Sequence, residues 1–237
     1  MERRPIPEFT SHLEHREMRA VMVYLIIHVG LLPWFISFVT ERGHMSATEG
    51  NFLYYALGAG FMFATCMPFF RRDFDPLCDR PFYNLMEILT GYFTMVCINF
   101  CVSALLLKLL PGAENPNNAA VTELVFEDFG VMKASLMFFT PITEEMLFRA
   151  GMFGMIRDML GRKPAYIVSV GLFSLYHVWS YALISPIYWL YLLQYIPVSF
   201  LLARCYERTN SIWCPIFFHM TVNAVAVNTL DMMQAMM

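Results

Sequence analysis

Seven long apolar stretches, separated by short polar connections, take up most of the chain. Each is close to the ~20 residues that an α-helix needs to cross a bilayer. The stretches cover residues 20–39, 52–70, 85–110, 129–156, 165–183, 187–203 and 212–230. The pattern predicts an all-α fold, a polytopic membrane bundle of about seven transmembrane helices within a range of six to eight. Composition agrees, because only 15% of the residues are charged, against about 25% in a soluble domain.

The sequence shows no internal repeat, low-complexity tract or linker, which predicts one integral membrane domain over residues 1–237. Proline, glycine and asparagine are concentrated between residues 111 and 118 and predict a turn and loop there. Nothing diagnostic appears before residue 129. We therefore treat residues 1–128 as N-terminal helices of unassigned role and expect any reaction centre within residues 129–230.

Lysine and arginine are distributed unequally between the two ends of the predicted bundle. Twelve lie in the N-terminal tail and the even-numbered connections: Arg3, Arg4, Arg16, Arg19, Arg71, Arg72, Arg80, Arg157, Arg162, Lys163, Arg204 and Arg208. The other end holds Arg42, Lys108 and Lys133. The positive-inside rule then predicts a cytosolic N-terminus. These few basic residues form no nucleic-acid footprint, and the short compact chain favours a prokaryotic plasma membrane over the endoplasmic reticulum.

Three charged residues interrupt the apolar stretch 129–156, namely Glu144, Glu145 and Arg149. A charge at the centre of a membrane helix costs about 2.5–3.5 kcal/mol on insertion scales unless it pairs or faces water. A cluster of this cost indicates a reaction centre.

Other polar residues fall at matching depths in two later stretches. Counted from the cytosolic end at ~1.5 Å per residue, Glu144 and His177 lie about 18 Å deep and Asn223 about 16 Å deep. Arg149 and His219 both lie at about 10 Å. This convergence predicts a water-filled pocket that is open toward the cytosol.

Helical phase separates the roles of the two glutamates. Glu145 and Arg149 are four residues apart in the order that favours an ion pair, and taken alone that pair is readily explained as structural. Glu144 points about 100° away and is free to contact a water molecule. Pro141 removes a backbone hydrogen bond to Met137 and is expected to bend the helix beside the site.

The residue types suit peptide hydrolysis. A carboxylate with a histidine can deprotonate water and later protonate a leaving amine. His219 and Asn223, four residues apart, can supply hydrogen bonds to an oxyanion. Ser174 and Ser180 lie three residues from His177, but neither shows a comparable arrangement for a nucleophile.

The motifs Glu-Glu-x-x-x-Arg at 144–149, Phe-x-x-x-His at 173–177 and His-x-x-x-Asn at 219–223 resemble those of the CAAX protease and bacteriocin-processing family. These are glutamic-type intramembrane endopeptidases related to the Ras-converting CAAX endopeptidase. The resemblance implies the following catalytic and supporting residues: Glu144 with His177 to activate water, His219 with Asn223 as the oxyanion hole, and Glu145, Arg149 and Phe173 in support. It also implies a membrane-anchored or lipidated substrate, either a prenylated CAAX-type protein or a bacterial peptide.

Several alternatives stay open at this stage. The same residues suit a proton- or cation-coupled transporter, and family relatives include immunity proteins that would bind a peptide without cleaving it. His219 and Asn223 could join helices by hydrogen bonds, and His28 is expected to be a packed histidine. Zinc suits histidine and glutamate ligands, but His-Glu-x-x-His is absent from the chain, so we expect no metal and no other cofactor.

Overall fold

The computed structural model describes residues 8–236, and these are almost entirely helical, with no β-strand among them. Seven long helical runs and two short helices follow one another along the chain. They are α1 (His15–Glu41), α2 (Ala47–Arg72), α3 (Phe74–Asp79), α4 (Pro81–Leu109), α5 (Pro116–Glu127), α6 (129–160), α7 (Arg162–Ile184), α8 (Pro186–Thr209) and α9 (Trp213–Gln234). The predicted fold class, an all-α membrane bundle, is confirmed.

Five of these helices are long and apolar enough to cross a membrane, namely α1, α2, α4, α7 and α8. The predicted count of seven is therefore not confirmed by length and hydropathy. The two remaining long runs are α6, which carries the three internal charges, and α9, which carries His219, Asn223 and Asn228.

The connection between α4 and α6 contains a helix that the sequence analysis did not predict. The chain turns after Leu109, and α5 then begins at Pro116, inside the predicted loop 111–118. The Asn115 side chain caps α5 by accepting hydrogen bonds from the backbone N–H groups of Asn117 and Asn118. This cap and the proline at the first helical position together favour a helix start. Helix α5 packs against α2, α7 and α9.

Helix α6 departs twice from regular α-helical geometry. Its π-helical segments are Ser135–Phe139 and Met146–Phe153, a feature that is frequent at functional sites. In the first segment the N–H of Thr140 donates to the carbonyl of Ser135, five residues back. In that register Pro141, which has no N–H, faces the Leu136 carbonyl. The carbonyl that lacks a backbone N–H donor is therefore that of Leu136, and not that of Met137 as expected.

Helices α2 and α6 approach each other closely beside Glu144. A Cβ atom added at Gly58 would lie 2.5 Å from the side chain of Thr143. The Thr143 hydroxyl donates to the backbone carbonyl of Tyr55 at 3.2 Å. Only glycine at position 58 permits this contact, which brings α2 against the segment that carries both glutamates.

Candidate active site

Glu144, His177 and His219 come together from α6, α7 and α9. The Glu144 carboxylate is 1% exposed. Its Oε2 lies 3.8 Å from Nε2 of His177 and 3.9 Å from Nε2 of His219. One carboxylate oxygen therefore faces two imidazole nitrogens from two other helices.

The Glu145 carboxylate holds a second side of the site. Its Oε1 lies 3.2 Å from Nη1 of Arg149, so the expected pair forms along one helix. The same oxygen lies 2.7 Å from Nδ1 of His219. Because a carboxylate only accepts, Nδ1 of His219 carries the hydrogen of this bond. Glu145 thus orients the His219 ring.

His177 is oriented by its own helix. Its Nδ1 lies 2.9 Å from the backbone carbonyl of Phe173, so Nδ1–H is the donor. This leaves Nε2 of His177 facing Glu144. The Phe173 ring packs 4.6 Å from the His177 ring and 4.2 Å from the Arg149 guanidinium carbon. Phe173 therefore contacts both a histidine and the buried cation.

Asn223 uses part of its donor capacity on the protein backbone. Its Nδ2 donates to the Leu136 carbonyl at 2.8 Å. That carbonyl is the one that faces Pro141 in the π-helical register, so the amide replaces a backbone donor that proline lacks. Since Nδ2 carries two hydrogens, one N–H of Asn223 remains for another acceptor.

The sequence analysis missed several residues around Glu144. The Tyr55 hydroxyl donates to Glu144 Oε1 at 3.1 Å and lies 3.3 Å from the Tyr176 hydroxyl. His28 is buried, as expected, but its Nε2 lies 3.2 Å from the Tyr176 hydroxyl. The N-terminal helices α1 and α2 thus support the site. The tyrosines could have been found from the sequence by their position within apolar stretches, because a buried tyrosine O–H usually has a hydrogen-bonding partner.

Arg149 has a further contact that spacing could not predict. Its Nη2 donates to the Ser199 carbonyl and hydroxyl oxygens, each at 3.2 Å. Ser174 donates instead to the Val170 carbonyl. Within residues 8–236, no base is hydrogen-bonded to the Ser174 hydroxyl.

Two buried carboxylate oxygens of the site have no hydrogen-bonding partner within residues 8–236, namely Oε2 of Glu144 and Oε2 of Glu145. Of these two residues only Glu144 is among those that line the cavity described below, and its Oε2 is the atom that faces the two histidines. An unpaired buried carboxylate oxygen is costly, and such a group is a candidate for binding a reactant.

A cavity of about 710 Å³ leads to this oxygen. Glu144, His177, His219, Asn223, Phe173 and Tyr55 all line it. The rest of its wall comes from the start of α5, from the C-terminal parts of α4, α7 and α9, and from the N-terminal halves of α2, α6 and α8. All of these lie toward the end of the bundle that has few basic residues. The predicted opening toward the end rich in arginine is wrong, because depth along a helix does not tell from which end water enters.

No metal centre is apparent in the part of the chain that the structure describes. Within residues 8–236, no three or more histidine, cysteine, aspartate or glutamate side chains are arranged so as to hold a metal ion.

Comparison with known proteins finds a family match over part of the chain. The sequence profile described as Type II CAAX prenyl endopeptidase Rce1-like matches residues 127–225. This range contains all three motifs and every predicted site residue. Over these residues the chain is similar to the Rce1-like family. The family is one of CAAX-type membrane proteases, and the resemblance seen in the motifs is confirmed.

Two bacterial proteins are also similar to parts of the chain. UPF0177 protein YxdF of Lactococcus lactis is 28% identical over 144 residues, which is 59% of this chain and 75% of the relative. A Bacillus subtilis protein named "Putative membrane peptidase YdiL" is 28% identical over 116 residues, 49% of this chain. The match spans 43% of that relative's length. No solved structure matches the chain significantly.

Proposed function

We propose that this protein is an intramembrane endopeptidase that hydrolyses a peptide bond with a water molecule activated by Glu144 and His177. The observation that carries this proposal is the buried, unpaired Oε2 of Glu144. It lies 3.8 and 3.9 Å from two imidazole nitrogens at the inner end of a cavity. One water molecule bound there would contact a base and two further polar atoms.

In the first step Glu144 takes a proton from this water while the water oxygen bonds to the peptide carbonyl carbon. Proton transfer of this kind contributes about 10²- to 10⁴-fold to a rate. His177, held with Nε2 toward Glu144, orients the water by accepting its second hydrogen.

The carbonyl oxygen becomes an oxyanion and needs donors fixed in advance. In this proposal His219 is the imidazolium cation, so that its Nδ1–H donates to Glu145 and its Nε2–H donates to the oxyanion. The remaining N–H of Asn223 is the second donor. The Leu136 carbonyl fixes the position of that amide.

In the last step the C–N bond breaks and the proton held by Glu144 passes to the leaving nitrogen. The products are an amine and a carboxylic acid, which loses its remaining water proton to solvent on release, and the enzyme returns to its starting protonation state. Glu145 and Phe173 act as positioning residues because they contact His219 and His177, respectively. Arg149 acts through its contacts with Glu145 and Phe173.

The substrate in this proposal is a peptide or protein associated with the lipid bilayer, as the membrane protease family suggests. The bacterial relatives support a bacterial plasma membrane. The proposal needs no metal or other cofactor, so activity should survive a strong chelator.

The test is mass spectrometry of candidate membrane peptides incubated with purified protein in detergent. Wild-type protein should give a cleavage product that Glu144→Gln protein does not. Glu123→Gln, at an exposed glutamate on α5, is the matched control and should cleave like wild type. A product that persists undiminished in folded Glu144→Gln protein would refute the proposal.

A proton relay is the second candidate, and one observation favours it. His28, Tyr176 and Tyr55 form a chain of polar atoms that reaches Glu144 in steps of 3.1–3.3 Å. A relay predicts pH-driven flux in liposomes and no peptide cleavage. The cavity favours hydrolysis, because its lining extends from Glu144 toward one end of the bundle.

A further inference from the structure

The cavity is asymmetric along the bundle axis. In α6 its lining residues run from Leu136 to Glu144, and in α9 they run from His219 to Leu230. In α7 the lining begins at Phe173 and continues to Tyr181. In each helix these residues lead from the site toward the α4–α6 connection and the α7–α8 turn. We call this end of the bundle the amide end, for the side chains described below.

The opposite end, which we call the basic end, carries the start of α1 and the α2–α4, α6–α7 and α8–α9 connections. Among residues 8–236 it holds ten of the thirteen lysine and arginine residues that lie outside the site, and the amide end holds three. The positive-inside rule places the end rich in lysine and arginine in the cytosol. The cavity then opens on the non-cytosolic side.

The basic end is closed by the chain preceding α1. Phe9 is buried there, with its ring 5.7 Å from Phe153 and 5.1 Å from Tyr206. The Ser11 hydroxyl donates to Asp73 at 2.8 Å. These contacts lie between the site and the cytosolic end and pack that end with aromatic rings.

A cluster of uncharged amide side chains from the start of α5 and from α8 lines the cavity at this end. We call it the amide collar; its members are Asn115, Asn117, Asn118 and Gln194. Nδ2 of Asn115 donates to Gln194 at 2.6 Å, and Nδ2 of Asn117 donates to the Tyr195 hydroxyl at 3.1 Å. The Tyr195 ring stacks on His177 at 4.7 Å. The collar is therefore joined by contact to the site.

The lining between the collar and the site suits a polypeptide main chain. Among residues 8–236, Glu144 is the only acidic or basic side chain other than histidine that lines it, and Asn51, Asn99 and Ser103 add further uncharged polar groups. Oδ1 of Asn99 is buried and has no partner among residues 8–236. Amide side chains present both a donor and an acceptor, which is what an extended main chain requires.

We propose that the site receives a polypeptide segment from the non-cytosolic side of the membrane, bound along its main chain by the amide collar. The fate of the segment rests on the proposed hydrolysis, and its side of entry does not. This inference replaces the expectation of a substrate that arrives from the cytosolic leaflet.

The side of entry is tested by cysteine labelling, independently of activity. Cys78 is exposed at the basic end, and Cys97 and Cys101 are exposed on α4. In a Cys97→Ala, Cys101→Ala protein, Glu114→Cys adds a thiol beside the collar. A membrane-impermeant maleimide should label position 114 in intact cells and label Cys78 only after permeabilisation. The reverse pattern would overturn the proposal; Ala113→Cys repeats the test if position 114 does not react in permeabilised cells.

The role of the collar is tested with a pool of synthetic peptides. Purified protein should cleave them in detergent and in vesicles with the amide end outward. Asn117→Ala should raise KM with little change in kcat, whereas Asn228→Ala, at an amide outside the cavity lining, should change neither. Cleavage only with the basic end outward, or an equal KM for both variants, would overturn this inference while leaving hydrolysis intact. No cleavage in detergent of any membrane peptide, lipidated or not, would instead refute the proposed function.

Discussion

The two ends of the bundle are built from different polar groups. The basic end is held by ion pairs: Glu207 lies 3.2 Å from Arg157 and 2.9 Å from Arg162, and Glu87 lies 2.8 Å from Arg208. The amide end is lined by neutral asparagine and glutamine side chains around a cavity. Ion pairs thus stabilise the closed basic end, and the neutral hydrogen-bonding groups of the amide end can bind a polypeptide.

Buried charge appears between the two ends only where it is paired or reactive. Arg149 and Glu145 are both fully buried and neutralise each other. Glu144, one residue earlier, has a tyrosine hydroxyl as its donor and two histidines nearby. The two neighbouring glutamates differ in the same way as the two ends. Glu145 stabilises the structure through an ion pair, and Glu144 is available to a reactant.

The largest expected effect comes from removing the buried cation. Arg149→Met leaves Glu145 as an uncompensated buried charge and should destabilise the protein by about 3–5 kcal/mol. Thermal unfolding in detergent measures the loss. Arg19→Met, at an exposed arginine of the basic end, should have little effect, and equal midpoints for the two variants would contradict the structural role of the pair.

Removal of the proposed oxyanion donor comes next. His219→Ala should lower kcat by about 10²- to 10³-fold, the usual effect of losing one such donor. His44→Ala, at an exposed histidine before α2, is the control. If His219→Ala unfolds the protein, His219→Gln keeps a side-chain N–H and the measurement is repeated. A folded variant of either kind with unchanged kcat would remove His219 from the mechanism.

The close approach of α2 and α6 gives a matched pair of glycine variants. Gly58→Ala forces a contact with Thr143 and should cost about 1–3 kcal/mol, as overpacking does. Gly60→Ala, two residues on in the same helix, meets nothing within 4 Å and should be neutral or stabilising by up to about 1 kcal/mol. Unfolding midpoints that move in the same direction by the same amount would show that the approach is not tight.

The smallest effect concerns pH and the basic end. Burial raises the pKa of Asp73 from its usual 3.8 to about 6. Between these values the folded protein holds more protons than the unfolded chain, so stability falls as pH rises through this window. Asp73→Asn should remove that fall, and Asp75→Asn, at an exposed site, should not. Unfolding curves at several pH values between 4 and 7 measure how stability changes with pH. The prediction is contradicted if stability falls with pH as steeply in Asp73→Asn protein as in wild type.

Much of the bundle and of the site could be predicted from local sequence. Apolar length predicted the helices, and four-residue spacing predicted the Glu145–Arg149 contact because both residues lie on one helix. The separation of the two glutamates by about 100° predicted that Glu144 would be free of Arg149. These properties depend only on helical geometry.

What could not be predicted depends on how helices pack against one another. The Tyr55 hydroxyl reaches Glu144 only because Gly58 lets α2 approach α6. Asn223 donates to Leu136 only because a π-helical turn places that carbonyl opposite Pro141. The direction of the cavity is set by α5 and the collar, and the sequence pattern showed only a loop at that position.

The account is tested most directly by the kcat/KM of Glu144→Gln on a peptide that wild-type protein cleaves, measured on samples with equal unfolding midpoints. Loss of the base should lower this ratio by about 10²- to 10⁴-fold, while the peptide still binds in the cavity. A ratio equal to that of wild type would contradict the account, because the unpaired carboxylate would then have no part in the chemistry.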